Sequence, residues 1–256
     1  MTVSLFQIPE SRYEEEKIRL IVAVAAAIGI TGICAYSILN TKKAYDYTDY
    51  YVDTPATNET NKGEEASEKE LSLPLLKKTN PDVVGIIEFD DRVIYEPVVQ
   101  APDNDYYVRR NIERKYAAAG IPYISGDGNI NAKNVVIYGH SSTRSNIIFT
   151  PLMDYINSDY YMKHPTFRFI TEEETRTYQI FAVMNIDLNN LEHSLEFTQS
   201  SWRSNNDFQA FISNTINNSL YRTGASVSND DELMTLVTCD TRDGNKRIVV
   251  IGKKVA

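Results

Sequence analysis

The chain is short of positive charge. Its 256 residues include 26 Lys and Arg against 35 Asp and Glu, which gives a formal net charge of −9 at pH 7. Binding to the phosphates of a nucleic acid needs clustered Lys and Arg, and the sequence has no such cluster. The composition therefore excludes nucleic acid as an expected partner.

Cysteine and histidine are also scarce, with two Cys and three His in the whole chain. Cys34 falls in an apolar run and Cys239 in a later β-rich segment, so the sequence predicts no disulfide framework. Cys239 and the histidines lack the close paired spacings expected of zinc ligands, and we predict neither a metal site nor a cofactor. A lone cysteine outside an apolar run is then an inert core residue or a reactive thiol.

One long uncharged run, LIVAVAAAIGITGICAYSIL, occupies residues 20–39. A helix needs ~20 such residues to cross a ~30 Å hydrocarbon core. A cleaved signal peptide is the alternative, but its apolar region usually has only ~7–15 residues. We therefore predict a short N-terminal tail at residues 1–19 and a transmembrane anchor at residues 20–39. The flanking charges by themselves orient the anchor poorly.

Residues 40–72 differ in character from the anchor and from the rest of the chain. Tyrosines are scattered among Asp and Thr, and the stretch NETNKGEEASEKE has no apolar periodicity. This composition is typical of a solvated chain. We predict a flexible acidic linker over 40–72, followed by one folded domain over 73–256.

The domain contains seven β-rich runs, in which Val, Ile, Tyr, Phe and Thr dominate and often alternate. They are 83–89, 93–99, 134–140, 166–171, 177–187, 233–239 and 247–255. One helix is predicted over 103–119, where Gly120 ends it, and a second over 202–221, where apolar residues have helical spacing. The expected fold class is mainly β, a closed or nearly closed barrel with helices on its outside.

Three residues with suitable chemistry lie at the ends of predicted strands. His140 ends one strand, Cys239 ends another, and Arg247 begins the strand after Cys239. A thiolate is a strong nucleophile, an imidazole can donate and accept protons near neutral pH, and a guanidinium can stabilise an oxyanion. Strand-end residues of one barrel can face each other, so together they indicate a cysteine-dependent active site. Arg242 is the alternative for the arginine role.

The segments NVVIYGHS, TLVTCD and RIVVIG resemble the His, Cys and Arg motifs of the sortase family, in that family's order. The stretches TNPDVVGIIEFDDRVIYEPVVQAPDNDYYV and FTPLMDYINSDYYMKHPTFRFITEEETRTYQIFAV are similar to class B sortases, and the resemblance covers residues 73–256. It implies an eight-stranded sortase β-barrel with peripheral helices, behind one N-terminal transmembrane helix. Two positions depart from class B. Val237 replaces a common Ser, and Ser141 replaces a frequent His or Asn.

The resemblance implies a membrane-anchored cysteine transpeptidase of a Gram-positive cell envelope, with its N-terminus in the cytoplasm and its barrel facing the cell wall. The enzyme would cut a surface protein after the Thr of a C-terminal sorting signal like Asn-Pro-x-Thr, through a thioester. An amine of peptidoglycan, or of its lipid-linked precursor, would accept the acyl group. The implied catalytic residues are Cys239, His140 and Arg247, and the implied substrate contacts are Asn104, Val108 and Thr238.

Other functions remain open on the sequence. Water could resolve the same thioester, which would make the protein a cysteine peptidase. A pilus-assembly sortase would use the same residues on different substrates. A catalytically inactive, membrane-tethered binding module is the alternative from another class, although intact Cys239 and His140 count against it.

Overall fold

The computed structural model describes residues 45–54, 68–101, 103–143, 147–189 and 196–256. The predicted tail and transmembrane anchor, with Cys34, lie outside these ranges, as does the middle of the predicted linker. Within the described ranges, no helix is both long enough and apolar enough to cross a membrane.

The described residues contain ten strands and three α-helices. The strands are β1 (Tyr51–Thr54), β2 (Glu68–Leu71), β3 (Val83–Phe89), β4 (Tyr95–Gln100), β5 (Tyr123–Ile124), β6 (Asn134–Tyr138), β7 (Thr166–Ile170), β8 (Thr175–Asp187), β9 (Leu233–Cys239) and β10 (Lys246–Lys254). The α-helices are α1 (Leu73–Thr79), α2 (Ser158–Lys163) and α3 (Asn205–Asn218). Short 3₁₀ helices connect several of these elements.

Eight of the strands close into a barrel in the order β10-β8-β7-β3-β4-β5-β6-β9. This confirms the predicted eight-stranded barrel. The seven β-rich runs become β3, β4 and β6 to β10. The eighth barrel strand, β5, has two residues, which is too short to show any periodicity in the sequence.

Most barrel strands are buried on both faces. All seven residues of β9 are buried, and on β10 neighbouring residues belong to different apolar clusters. Ile248 packs in one cluster and Val249 in the other, because successive side chains of a strand point to opposite faces. Burial on both faces explains why the strand sequences are continuous apolar runs.

The predicted flexible linker is partly folded, which differs from the expectation for residues 40–72. Strands β1 and β2 pair as an antiparallel hairpin that lies against the barrel. The amide of Leu71 donates to the Tyr95 hydroxyl over 2.9 Å, and the amide of Ser72 donates to the Tyr50 carbonyl over 2.8 Å. Tyrosine rings supply the buried apolar area. Because polar residues separate these tyrosines, the sequence of the segment shows no apolar periodicity.

The predicted helix over 103–119 is wrong. The structure has a short 3₁₀ helix at Tyr106–Arg109, followed by a tight turn in which Arg110 and Tyr116 form an antiparallel bridge. Arg114 has a left-handed φ of 61°, and the Asn111 side chain accepts from the amide of Lys115 over 3.0 Å. Side chains that bond to nearby backbone in this way compete with helix formation.

The second predicted helix is confirmed as α3, within the expected range 202–221. Ser204 caps its N-terminus by accepting from the amide of Asp207 over 3.2 Å. Phe208, Phe211 and Ile212 are buried on one face of the helix, as the helical spacing predicted. The helix therefore packs its apolar face on the rest of the domain.

Candidate active site

Cys239 is the last residue of β9. In the barrel, β9 lies between β10 on one side and β6 on the other. A side chain at the end of β9 can therefore meet side chains from both neighbours. Cys239 is 3% exposed.

Arg247, on β10, stands directly opposite Cys239 in the antiparallel register. The next pair along is hydrogen-bonded, because the amide of Asp240 donates to the carbonyl of Lys246 over 2.9 Å. Hydrogen-bonded and non-hydrogen-bonded pairs alternate along an antiparallel ladder, and side chains are closer at the second kind. Cys239 and Arg247 form a pair of the second kind, on the same face of the sheet.

The Arg247 guanidinium is held in place and buried. Its Nη1 atom donates to the carbonyls of Gly244, over 2.9 Å, and Lys246, over 2.8 Å. Arg247 is only 2% exposed, and this burial lowers its pKa to about 10. The side chain still carries its positive charge at neutral pH.

His140 lies on the other side of Cys239. Strands β6 and β9 are parallel, with Tyr138 opposite Val237, so two residues further along His140 falls opposite Cys239. The amide of Gly139 donates to the Val237 carbonyl over 3.1 Å, which continues the pairing past the end of β6. A side chain at Gly139 would collide with the Phe149 ring, since its Cβ would lie 2.5 Å from a ring carbon.

The His140 ring is oriented by backbone. Its Nε2 atom lies 3.0 Å from the carbonyl oxygen of Val108. A carbonyl only accepts, so Nε2 carries the proton and Nδ1 is left as the basic nitrogen. Burial, and then the positive charge of Arg109, lower the pKa of His140 to about 4, with a smaller contribution from Arg247. The imidazole is therefore neutral at pH 7.

The three residues border one cleft of about 350 Å³, its open mouth included. His140, Cys239 and Arg247 form a row across three neighbouring chain segments, which lie about 4.8 Å apart in a sheet. The lining of the cleft includes three apolar side chains and two tyrosines. The lining residues are Val108, Ile121, Tyr123, Tyr138, Gly139, His140, Val237, Thr238, Cys239 and Arg247.

Two of the three predicted substrate contacts line the cleft. Val108 and Thr238 do so, but the carbonyl of Val108 is bound to His140 and the hydroxyl of Thr238 donates to the Gly139 carbonyl over 2.8 Å. Asn104 is not among the lining residues. Its carboxamide oxygen accepts from the amide of Gly126 over 2.7 Å, so Asn104 braces a neighbouring loop.

The geometry distinguishes the two candidate arginines. Arg242 makes two hydrogen bonds to the Asp240 carboxylate, of 2.8 and 2.7 Å, and its side chain is 56% exposed. Arg247 lines the cleft opposite Cys239. The guanidinium that is positioned to act in the cleft is therefore that of Arg247.

Sequence reasoning missed several residues that line the cleft. Tyr138 precedes His140 by two residues, so strand alternation could have placed both on one face. Tyr123 lies on the two-residue strand β5, and its ring centroid is 5.6 Å from that of Tyr138. Ile121 comes just before β5 in an irregular segment. No periodic signal marks Tyr123 or Ile121 in the sequence.

The oxidation state of Cys239 bears on the chemistry. Nucleophilic attack needs the thiolate. The chemistry below is that of reduced Cys239, and the experiments include a reductant.

Comparison with known proteins identifies the family. The sortase domain model matches residues 98–255, which include the whole cleft. The chain belongs to the sortase family, whose members are cysteine transpeptidases.

Within that family, class B enzymes are among the relatives of this chain. Sortase B of Listeria monocytogenes is 32% identical over 184 residues, covering 70% of this chain and 72% of that protein. The structure of Clostridium perfringens sortase B superposes with a TM-score of 0.67 at 27% identity, covering 72% of this chain and 100% of the other. A Staphylococcus aureus sortase B–substrate complex gives 0.64 at 26% identity, covering 71% and 83%. The chain is thus a class B-like sortase.

Proposed function

We propose that this sortase cuts a C-terminal sorting signal of the Asn-Pro-x-Thr type after Thr and joins the protein to an amine of peptidoglycan or its lipid-linked precursor. In the first half-reaction, neutral His140 takes the proton of the Cys239 thiol, which gives an imidazolium, and the thiolate so formed attacks the Thr carbonyl carbon. The C–N bond of the next peptide unit breaks as the C–S bond of a thioester forms. The imidazolium of His140 gives its proton to the leaving amine.

The second half-reaction reverses these roles. The acceptor amine attacks the thioester carbonyl, neutral His140 takes the amine proton, and the C–S bond breaks to return the thiolate. Each step passes through a tetrahedral oxyanion, which the Arg247 guanidinium stabilises in a buried site where charge interactions are strong. The positive charges of Arg109 and Arg247 disfavour the imidazolium and favour the anions at Cys239.

A single observation carries this proposal. His140, Cys239 and Arg247 occupy one row across adjacent segments of the barrel and border one cleft. Acid, nucleophile and oxyanion donor therefore lie within reach of one carbonyl group. A relative whose structure is described as a substrate complex, Staphylococcus aureus sortase B, supports a peptide substrate of this kind.

The test uses the full-length chain, purified in detergent with a reductant, and fluorescence-quenched peptides carrying Asn-Pro-x-Thr or Leu-Pro-x-Thr. Each peptide is incubated with and without an amine acceptor, and mass spectrometry identifies the products. We expect cleavage of the Asn-Pro-x-Thr peptide after Thr and an acceptor adduct. Cys239→Ala should lower the rate by at least about 10³-fold, because no other group replaces the nucleophile.

Each of the following outcomes would contradict one part of the proposal. A free carboxylate in the presence of acceptor would make the protein a peptidase. Preference for Leu-Pro-x-Thr would refute the proposed signal, and a pilin-type acceptor lysine used in place of a wall amine would indicate pilus assembly. No cleavage of either peptide by folded, reduced protein would favour a binding module.

We also propose that residues 20–39 anchor the enzyme in the cell membrane, with the N-terminus in the cytoplasm and the barrel facing the wall. The support is the uncharged length of this run and the extracellular wall amine that the reaction needs. Protease added to wall-stripped intact cells should degrade the barrel and spare an N-terminal tag. A barrel cut only after the cells are lysed would refute this orientation.

A further inference from the structure

The position of His140 depends on more than the β-ladder. Strand β6 ends at Tyr138, two residues before His140, and the backbone bond from the Gly139 amide to the Val237 carbonyl extends the pairing by one residue. The pairing that brings β6 beside β9 therefore stops before the two reactive side chains. Their separation must be set by contacts beyond the strand end.

Two side-chain hydroxyl groups connect the residues after β6 to the end of β9. Thr238 Oγ1 donates to the Gly139 carbonyl over 2.8 Å, and Ser141 Oγ donates to the Cys239 carbonyl over 2.6 Å. Both bonds cross between the extension of β6 and the end of β9. Ser141 is 7% exposed and Thr238 is 2% exposed, so water cannot easily replace either hydroxyl.

The direction of the Cys239 carbonyl explains why it accepts a hydrogen bond from the Ser141 hydroxyl. Because Cys239 and Arg247 form a non-hydrogen-bonded pair, the backbone groups of Cys239 point away from β10 and toward the β6 side. There the strand has already ended, and the Ser141 hydroxyl supplies the donor. Loss of this hydroxyl would leave a buried carbonyl without that donor, which is unfavourable.

We propose that Ser141 is a positioning residue that holds His140 beside Cys239 by tying the residue after the histidine to the carbonyl of the cysteine itself. This inference rests on the proposed function, since it assigns a role within the same site. Ser141 is not among the residues that line the cleft. It acts by keeping the imidazole at the distance from the thiol that proton transfer requires.

The first test is kinetic. Ser141→Ala should lower kcat about 10- to 100-fold and change KM less than about 2-fold, because misplacement of a catalytic group by about 1 Å can cost that much. Ser141→Thr keeps a hydroxyl and should recover kcat to within about 5-fold of wild type. Ser219→Ala is the matched control. Ser219 Oγ makes the same kind of bond, to the Tyr221 carbonyl over 2.9 Å, away from the cleft.

The second test is a double-mutant cycle on the thiol itself. The alkylation rate of reduced Cys239 by iodoacetamide is measured between about pH 5 and 9 in wild type, Ser141→Ala, His140→Ala and the double variant. Ser141→Ala should slow alkylation about 10-fold near neutral pH, since the imidazole accepts the thiol proton. In the His140→Ala background it should change the rate less than about 2-fold, because a residue acting through another is non-additive.

The outcomes separate this inference from the proposed function. Equal slowing by Ser141→Ala with and without His140, or a loss no larger than that of Ser219→Ala, would overturn the positioning role. The alkylation cycle needs no peptide. If wild type cuts no peptide but the cycle is non-additive as expected, the positioning role stands and the proposed substrate is wrong.

Discussion

Arg247→Lys is expected to lower kcat for peptide cleavage about 10²–10³-fold, the usual loss when one oxyanion donor is removed. Lysine keeps a positive charge but lacks the planar fork of donors. In the structure this fork is held by two backbone carbonyls, those of Gly244 and Lys246, opposite Cys239. A lysine ammonium cannot keep both contacts and also reach the oxyanion that forms on the substrate carbonyl oxygen when Cys239 attacks.

Arg242→Lys is the matched control for that experiment. Arg242 lies in the same connection between β9 and β10, but its guanidinium is bound to the Asp240 carboxylate and largely exposed. Its replacement should change kcat less than about 3-fold, as is usual for exposed positions. Stopped assays with the Asn-Pro-x-Thr peptide give both rates, and urea unfolding shows whether each variant is folded. A large loss for Arg242→Lys together with a small one for Arg247→Lys would transfer the role to Arg242.

Glu96→Gln is expected to stabilise the protein above pH 7 by about 1–3 kcal/mol, the value of a shift of this size after allowance for partial exposure. Glu96 lies on β4 under the β1–β2 hairpin, where Tyr47 hydrogen-bonds to it and its Oε2 atom is buried without a hydrogen-bond partner. Burial raises the pKa of Glu96 to about 7. Glutamine removes the charge that this burial penalises.

The sign of the pH dependence follows from proton binding. Between pH 4.5, its ordinary pKa, and about 7, Glu96 holds a proton in the folded state but not in the unfolded one, so stability falls as pH rises. His140 is the opposite case. Its folded pKa of about 4 lies below the ordinary 6.5, so stability rises with pH between these values. In wild type the two effects largely cancel between pH 4.5 and 6.5.

Without the opposing effect of Glu96, the pH dependence due to His140 should become visible in Glu96→Gln. The free energy of unfolding of this variant should increase with pH up to about 6.5. Urea unfolding can be followed through Trp202, the only tryptophan, whose ring lies 4.7 Å from those of Phe208 and Phe211. Other charged or titratable groups lie near Glu96, namely Tyr51, Arg92, Glu88 and Glu70. Their contribution to the pH dependence is common to both proteins, so it cancels when the unfolding free energy of wild type is subtracted from that of the variant. Glu173→Gln, at an exposed position, is the control. Equal pH profiles for Glu96→Gln and wild type would refute this account.

Several features of the fold could be predicted from residue patterns alone. The runs 83–89 and 233–239 match β3 and β9 residue for residue, because strands buried on both faces give continuous apolar runs bounded by polar turns. Helix α3 was predictable because Phe208, Phe211 and Ile212 have helical spacing. Local chemistry and burial agree in these segments.

Two expectations failed, one because of local backbone geometry and one because of a contact between residues distant in sequence. Residues 103–119 contain helix formers, yet Arg114 has a left-handed φ and Arg110 pairs with Tyr116. The predicted linker contains a hairpin because its tyrosines pack against β4. Tyr51 and Tyr95 are far apart in sequence, so no local pattern predicts their contact.

The sequence by itself predicted a cysteine-dependent site, because His140, Cys239 and Arg247 each lie at or within two residues of a strand end, and the neighbouring motifs resemble those of sortases. Only the tertiary structure decided how these residues meet. A parallel pairing between β6 and β9, about a hundred residues apart, brings histidine beside cysteine, and an antiparallel pairing adds the arginine. It also placed the Ser141 hydroxyl on the Cys239 carbonyl and buried Glu96 beneath the hairpin. Register between distant strands comes from closing the barrel, and no local pattern in the chain encodes it.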